Sequence, residues 1–172
     1  MNFRKKLKDV KALVFDVDGV FSREFITKDN GEFQRIMNAK DGLALKYAGK
    51  KGLKIAIITG GTNVSVKDRF ETLGIKDVYL GTSQKIDALE NFSKKYKISK
   101  EHILYMGDDL PDFEVMKAIG FAACPADSAD EIQEISDYIS EKKGGEGCVR
   151  DIIEQVMKIQ KLWDINDFIK NN

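Results

Sequence analysis

Short apolar runs alternate with stretches of helical spacing along most of this chain, and that alternation restricts the fold more than any other feature. Ala12 to Phe15, Leu53 to Ile58, Val78 to Leu80, Ile103 to Met106 and Phe121 to Cys124 are rich in β-branched or aromatic residues and read as buried strands. Between them lie four apolar sets with helical spacing: Leu43, Ala44, Tyr47, Ala48; Val64, Val66, Phe70, Leu73; Ile86, Leu89, Phe92; and Phe113, Met116, Ile119. Gly52, Gly74 and Gly120 read as helix stops, Ser83 as an N-cap, and Pro111 as an early helical position where its missing N–H costs little. Strands separated by helices pair in parallel through right-handed crossovers. The expected fold class is therefore α/β, a three-layer Rossmann-like parallel sheet. With 172 residues the chain is expected to be a single domain able to bury a core without staples.

Two segments stand outside that rhythm. Between about residues 21 and 40, Asp29-Asn30-Gly31 is preceded by Phe25 and Ile26 and followed by Phe33, Ile36 and Met37, the pattern of a β-hairpin around an Asn-Gly turn. It reads equally as a flap or as an edge ornament. From about 142 to 172 the chain runs through Lys142 to Gly147 (KKGGEG), a loop expected to be flexible, a helix from Val149 to about Leu162, and a polar tail ending in Asn171-Asn172.

Composition removes several functions. Lys plus Arg and Asp plus Glu are equal at 28 each, so no global basic field exists to grip nucleic acid. Apolar runs such as Ile55 to Ile58 are too short for a bilayer, and the N-terminus does not read as a signal peptide, which makes the cytoplasm the expected address. Cys124 and Cys148 lack C-x-x-C spacing and read as core or loop residues. The single histidine, His102, rules out a multi-histidine metal site and is expected to face solvent. Any chemistry falls to carboxylates, hydroxyls and lysines.

Ligands of open parallel sheets bind at the carboxyl ends of the strands. Asp16 and Asp18 follow the first run, Thr59, Gly60 and Gly61 the second, and Asp108 and Asp109 the fourth, with Asp112 beyond; Lys85 lies near the start of the helix after the third run. Two unit charges 4 Å apart repel by about 4 kcal/mol at an effective dielectric of 20, so converging carboxylates call for a divalent cation or raised pKa values. Ligands that are all oxygen favour Mg²⁺ over zinc. Lys85, the Thr59 hydroxyl and the N–H groups around Gly60 would hold a phosphoryl group opposite the metal. Asp16 is then placed as the in-line nucleophile, giving an aspartyl-phosphate, and Asp18 as the general acid and base.

These residues resemble the four ordered motifs of the haloacid dehalogenase superfamily of phosphatases: Asp16-Val17-Asp18-Gly19-Val20, Thr59-Gly60, Lys85, and Gly107-Asp108-Asp109 with Asp112. The match spans roughly residues 11 to 150. It implies Asp16 as nucleophile and Mg²⁺ ligand, Asp18 as acid/base with its main-chain carbonyl on the metal, Asp108 as direct metal ligand, and Asp109 and Asp112 as supporting groups. Only 40 residues lie between Asp18 and Thr59 and 25 between Thr59 and Lys85, too few for an inserted cap domain.

Length, hairpin and the segment Gly144-Gly145-Glu146-Gly147-Cys148-Val149-Arg150 resemble the capless subgroup acting on 3-deoxy-D-manno-octulosonate 8-phosphate in lipopolysaccharide sugar biosynthesis. That resemblance implies a small sugar-acid phosphate as substrate and a homotetramer whose neighbouring hairpins and tails complete each site. It also implies Arg69, Lys67 and Arg150 as candidates for the sugar acid's carboxylate. Where relatives often carry a charged residue after the Thr-Gly, this chain has Gly61. A nine-carbon sugar acid 9-phosphate remains the alternative substrate. A receiver-like phospho-Asp signalling module is a further alternative, but it would place its adjacent acids after the first strand, and here they come late.

Overall fold

In the computed structural model, which describes residues 3–29, 31 and 33–170, a six-stranded sheet carries the chain. Its strands are β1 (Ala12–Phe15), β4 (Lys54–Ile58), β5 (Asp77–Tyr79), β6 (Ile103–Met106), β7 (Phe121–Cys124) and β8 (Tyr138–Ile139). The order is β5-β4-β1-β6-β7-β8 with every pair parallel. β1 therefore lies between β4 and β6, registering Leu13 opposite both Ile55 and Leu104. Helices α2 (Ala39–Lys50), α3 (Val64–Thr72), α4 (Lys85–Tyr96), α5 (Phe113–Lys117), α6 (Asp130–Ile135) and α7 (Cys148–Ile159) supply the outer layers, with short α1 (Phe3–Lys8) and α8 (Ile165–Lys170) at the ends.

Strand side chains alternate between two cores, as the period of 2 requires. Leu13, Phe15, Ile55, Ile57, Leu104 and Met106 enter one, beneath α1, α2, α3 and α7. Ala12, Val14, Ala56, Ile58, Ile103 and Tyr105 enter the other, beneath α4, α5 and α6. Helix α7 buries Cys148, Val149, Ile152, Ile153, Val156 and Met157, a stripe at helical spacing, against the first core. Each fully buried aliphatic chain of this kind contributes roughly 2 kcal/mol. Both cysteines are buried and free.

Several boundaries differ from the sequence reading. Gly52 and Gly74 do follow their helices with positive φ, but Gly120 has none; it is required because a Cβ there would stand 1.9 Å from the Glu101 carbonyl oxygen. Gln84, not Ser83, is the N-cap of α4. His102 is half-buried, with Nδ1 out of solvent and unpartnered. The two-residue strand β8 has no signature in the sequence. Helix α7 has Gly147 at its N-cap, which has no side chain to cap it; Asp41 of α2 does so instead, accepting the Arg150 N–H at 2.8 Å. Burial raises the Asp41 pKa to about 6, against the pull of that N–H.

The hairpin consists of β2 (Phe25–Thr27) and β3 (Phe33–Arg35) and forms its own two-stranded sheet. Phe25 pairs with Arg35 and Thr27 with Phe33, so residues 28 to 32 make a longer connection than a two-residue Asn-Gly turn. Asn30 of that turn, like Asn171 and Asn172 of the tail, lies outside the described residues.

The expected flexible loop is instead seated. Gly144 N–H donates to Asp127 Oδ1 and Gly145 N–H to the Val20 carbonyl, both at 2.8 Å. A Cβ on Gly144 would fall 1.8 Å from the Gly19 carbonyl oxygen, so the close approach of the two backbones depends on glycine.

Candidate active site

The parallel arrangement brings the ends of β1, β4 and β6 side by side. Asp16 is the first residue after β1, Thr59 the first after β4, and Gly107-Asp108 the first pair after β6. The loop that follows Asp16 is held from beneath: the Val17 carbonyl accepts N–H bonds from Val20, Phe21 and Ser22, and Phe21 packs edge-on against Phe15 and Phe70. Gly19 sits at φ 81° and faces Asp108, where a Cβ would come within 1.8 Å of the carboxylate. The β1 and β6 loops can touch only with glycine there.

Lys85 opens α4, where a cation opposes the helix dipole and would ordinarily be unfavourable. Its compensation is local. Lys85 Nζ lies 2.9 Å from Asp16 Oδ2 and 2.7 Å from Asp112 Oδ1, and all three residues are buried. Asp112 also accepts the Tyr105 hydroxyl at 2.6 Å and the Asp108 N–H at 3.2 Å. A polar residue set against the local helix preference, at a strand mouth, marks a site where function overrides stability.

Oxygens of Asp16, Asp108 and Asp112 lie within 4.8 Å of one another. Burial, with the Asp112 charge added and Lys85 opposing, raises the Asp16 pKa to about 7. Burial and then the charges of Asp16 and Asp112 raise Asp108 to about 8. Burial would lower the Lys85 pKa, but Asp16 and Asp112 more than reverse that, so it is raised. This donor set fits a hard divalent cation: the ligands are all oxygen, and the cation would relieve their repulsion. Asp112 already accepts from Lys85, Tyr105 and the Asp108 N–H, whereas Asp16 meets Lys85 through Oδ2, so Asp16 and Asp108 have carboxylate oxygens left to take it.

Asp18 stands outside that set of converging carboxylates. Arg35 of β3 grips its carboxylate in a bidentate pair, Nε to Oδ1 at 2.5 Å and Nη2 to Oδ2 at 2.8 Å. The hydrogen bonding of the guanidinium to the Asp18 carboxylate is the main reason the Arg35 pKa is raised. Thr59 is buried, and its Oγ1 accepts the Gly61 N–H at 3.1 Å, while Gly60 is exposed beside it. Asp109 is exposed and its carboxylate caps the turn by accepting the Leu110 N–H.

The three carboxylate-binding candidates are placed differently from one another. Arg69 lines a cleft of about 350 Å³ between the hairpin and α3, together with Gln34, Arg35, Met37, Ser65 and Val66. Lys67 is exposed and pairs with Glu71. The Arg150 guanidinium is bound to Glu154 at 2.7 Å and lies over the Trp163 ring. Among the described residues no helix is long and apolar enough to cross a membrane.

The sequence alone does not mark Arg35 or Tyr105 as site residues. Tyr105 lies inside an apolar strand run, where an inward hydroxyl is indistinguishable from core. The hairpin offered several cations, and only the register of β2 on β3 selects Arg35.

Comparison with known proteins agrees with this geometry. Residues 77–152 match the family model of haloacid dehalogenase-like hydrolases. The 3-deoxy-D-manno-octulosonate 8-phosphate phosphatase KdsC of Escherichia coli (strain K12) is 35% identical over 92% of this chain and 85% of its own length. The crystal structure of that phosphatase from Moraxella catarrhalis, in complex with magnesium ion, phosphate ion and KDO, superposes with a TM-score of 0.90 at 34% identity, covering 97% of this chain and 95% of that one. A cobalt-bound form of the Haemophilus influenzae enzyme gives a TM-score of 0.90 at 26% identity, covering 96% and 99%. With its fold, its carboxylate cluster and its near full-length relatives in accord, the chain belongs to the haloacid dehalogenase-like hydrolases, in the family of 3-deoxy-D-manno-octulosonate 8-phosphate phosphatases.

Proposed function

We propose that this chain is a Mg²⁺-dependent phosphatase that releases phosphate from 3-deoxy-D-manno-octulosonate 8-phosphate. The observation that carries the chemistry is the buried Lys85 ammonium set 2.9 Å from Asp16 at the sheet's mouth, a cation poised beside a carboxylate that can attack. The choice of sugar rests on the relatives' activity.

Asp16 Oδ attacks phosphorus in line as the bond from phosphorus to the sugar oxygen breaks, and Asp18 delivers a proton to that leaving oxygen. Asp18 then takes a proton from water, whose oxygen attacks the aspartyl-phosphate, freeing inorganic phosphate and regenerating the Asp16 carboxylate. Lys85, the Thr59 hydroxyl and the backbone N–H groups near Gly60 hold the phosphoryl oxygens, and Asp112 with Tyr105 holds Lys85 in place. Asp16 and Asp108, with the Asp18 main-chain carbonyl, would hold Mg²⁺, which when bound neutralises charge on the phosphoryl group.

The test is phosphate release from a panel containing the eight-carbon ester, a nine-carbon sugar acid 9-phosphate and simple sugar phosphates, with Mg²⁺ and with chelator. Turnover is expected to favour the sugar-acid phosphates over the simple sugar phosphates by roughly 100-fold or more, as for a site built to pair a charged substrate group, to be highest for the eight-carbon ester, and to vanish with chelator. Preference for the nine-carbon ester, or equal turnover of all, would overturn the assignment of substrate.

The hairpin exposes Phe25, Ile26 and Phe33, with Ile36 beside it, an apolar patch that costs a lone chain solubility. We read it as the contact of a homotetramer. Sedimentation equilibrium at micromolar concentration should return four times the chain mass of 19.4 kDa; a monomer would refute it.

A further inference from the structure

The Arg35–Asp18 pair occupies both oxygens of the residue that must reach the leaving group. One guanidinium nitrogen faces each carboxylate oxygen, at 2.5 and 2.8 Å, so the guanidinium fixes where both oxygens point while the pair stands. A general acid has to come within hydrogen-bond reach of the oxygen it protonates. The pair must therefore open in every turnover, and something has to take the guanidinium when it does.

The surroundings say what. The Arg35 side chain is only 11% exposed and its guanidinium lies 5.3 Å from the Phe25 ring centroid, whereas the Asp18 side chain is 37% exposed. Arg35 also forms the wall of the cleft of about 350 Å³ that reaches Arg69, which has no ion-pair partner among the described residues. That cleft is cationic and large enough for a sugar. A planar guanidinium matches a carboxylate through two parallel hydrogen bonds, so a second carboxylate can replace the first without leaving the cation unpaired. Gly61 leaves the space for the exchange: a Cβ there would stand 3.1 Å from Arg35 Nη2 and 3.7 Å from Asp18 Oδ2.

We infer that Arg35 exchanges partners during the reaction, holding the Asp18 carboxylate in the empty enzyme and moving to the carboxylate of the entering sugar acid, which frees Asp18 to take a proton from water and carry it to the leaving oxygen. The inference builds on the phosphatase reading above. It makes Arg35 a specificity-determining residue: a substrate without a carboxylate gains nothing from it.

Steady-state kinetics of Arg35→Met and Arg35→Lys on the eight-carbon sugar-acid phosphate and on p-nitrophenyl phosphate, which has no carboxylate, test this. Calorimetry of the free sugar acid with both variants gives a readout independent of turnover. Loss of one charge-assisted pair predicts roughly a 10- to 100-fold rise in KM for the sugar ester and a similar loss of affinity for the free acid. The kcat/KM on p-nitrophenyl phosphate should not fall in either variant, since Asp18 is then freed without an exchange, and Arg35→Lys should recover only part of the sugar-ester loss, because an ammonium lacks the paired donors of the guanidinium. Equal losses on both esters would overturn the inference, since Arg35 would then serve only Asp18 or the phosphate; so would an unchanged KM for the sugar ester. Failure of the unaltered protein to hydrolyse the sugar ester while it cleaves p-nitrophenyl phosphate would sink the substrate reading, and this inference with it.

Discussion

The Asp16→Asn protein should release phosphate at least ~10⁴-fold more slowly than the unaltered chain while melting at the same temperature or higher, because the amide loses the attacking oxygen yet keeps the shape. The stability side follows from the crowding. Asp16 is one of three carboxylates gathered within 4.8 Å, with its pKa raised to about 7 chiefly by burial and then by Asp112. Removing its charge relieves that repulsion, and Lys85 still has Asp112 at 2.7 Å. Phosphate-release kinetics and a thermal melt check both parts. Substantial residual turnover would move the nucleophile elsewhere, and a sharply lowered melting temperature would mean that the Asp16 charge is structural.

Lys85→Met should cost catalysis less and stability far more. Catalysis is expected to fall by roughly 10³-fold, since on the proposed mechanism a donor to the phosphoryl oxygens is gone. Stability should fall by about 3–5 kcal/mol, the cost of leaving buried charges without their partner. Lys85 is 7% exposed and its two partners are buried as well, so solvent does little to screen the loss. The loss should also depend on pH. In metal-free protein Asp16 and Asp108 have folded pKa values of about 7 and about 8, above the ordinary 3.8. The folded state thus binds more protons than the unfolded chain between those limits, and stability falls as pH rises through that window. Without the ammonium to oppose it that slope steepens, so urea midpoints in chelator should separate further at pH 8.5 than at pH 6. Parallel midpoints at the two pH values would show that Lys85 does not hold the cluster together.

What the sequence disclosed depends on how many faces of an element are buried. β1, β6 and β7 lie inside the sheet with both faces covered, so each reads as an unbroken apolar run with the bounds observed. The residues after strand ends are legible for the same reason: a parallel sheet collects them at one edge, which is how Asp16, Thr59 and Asp108 come together. β8 is two residues long and partly exposed, too little for any period to show. Arg35 depends on a strand register set by the long hairpin connection, and Asp41 on a cap supplied across space by a different helix. Composition misled at Lys142 to Gly147. Gly144 and Gly145 are there for contact with the Gly19 loop, and the same residues in isolation would signal freedom.

That contact has a bearing on how the enzyme matures. The acid-bearing turn is made early in synthesis, but the glycine segment that backs it arrives more than a hundred residues later, and closing so distant a contact is slow compared with forming the helices between. Catalytic competence should therefore appear as the last act of folding, after the sheet has already assembled around an unfinished mouth.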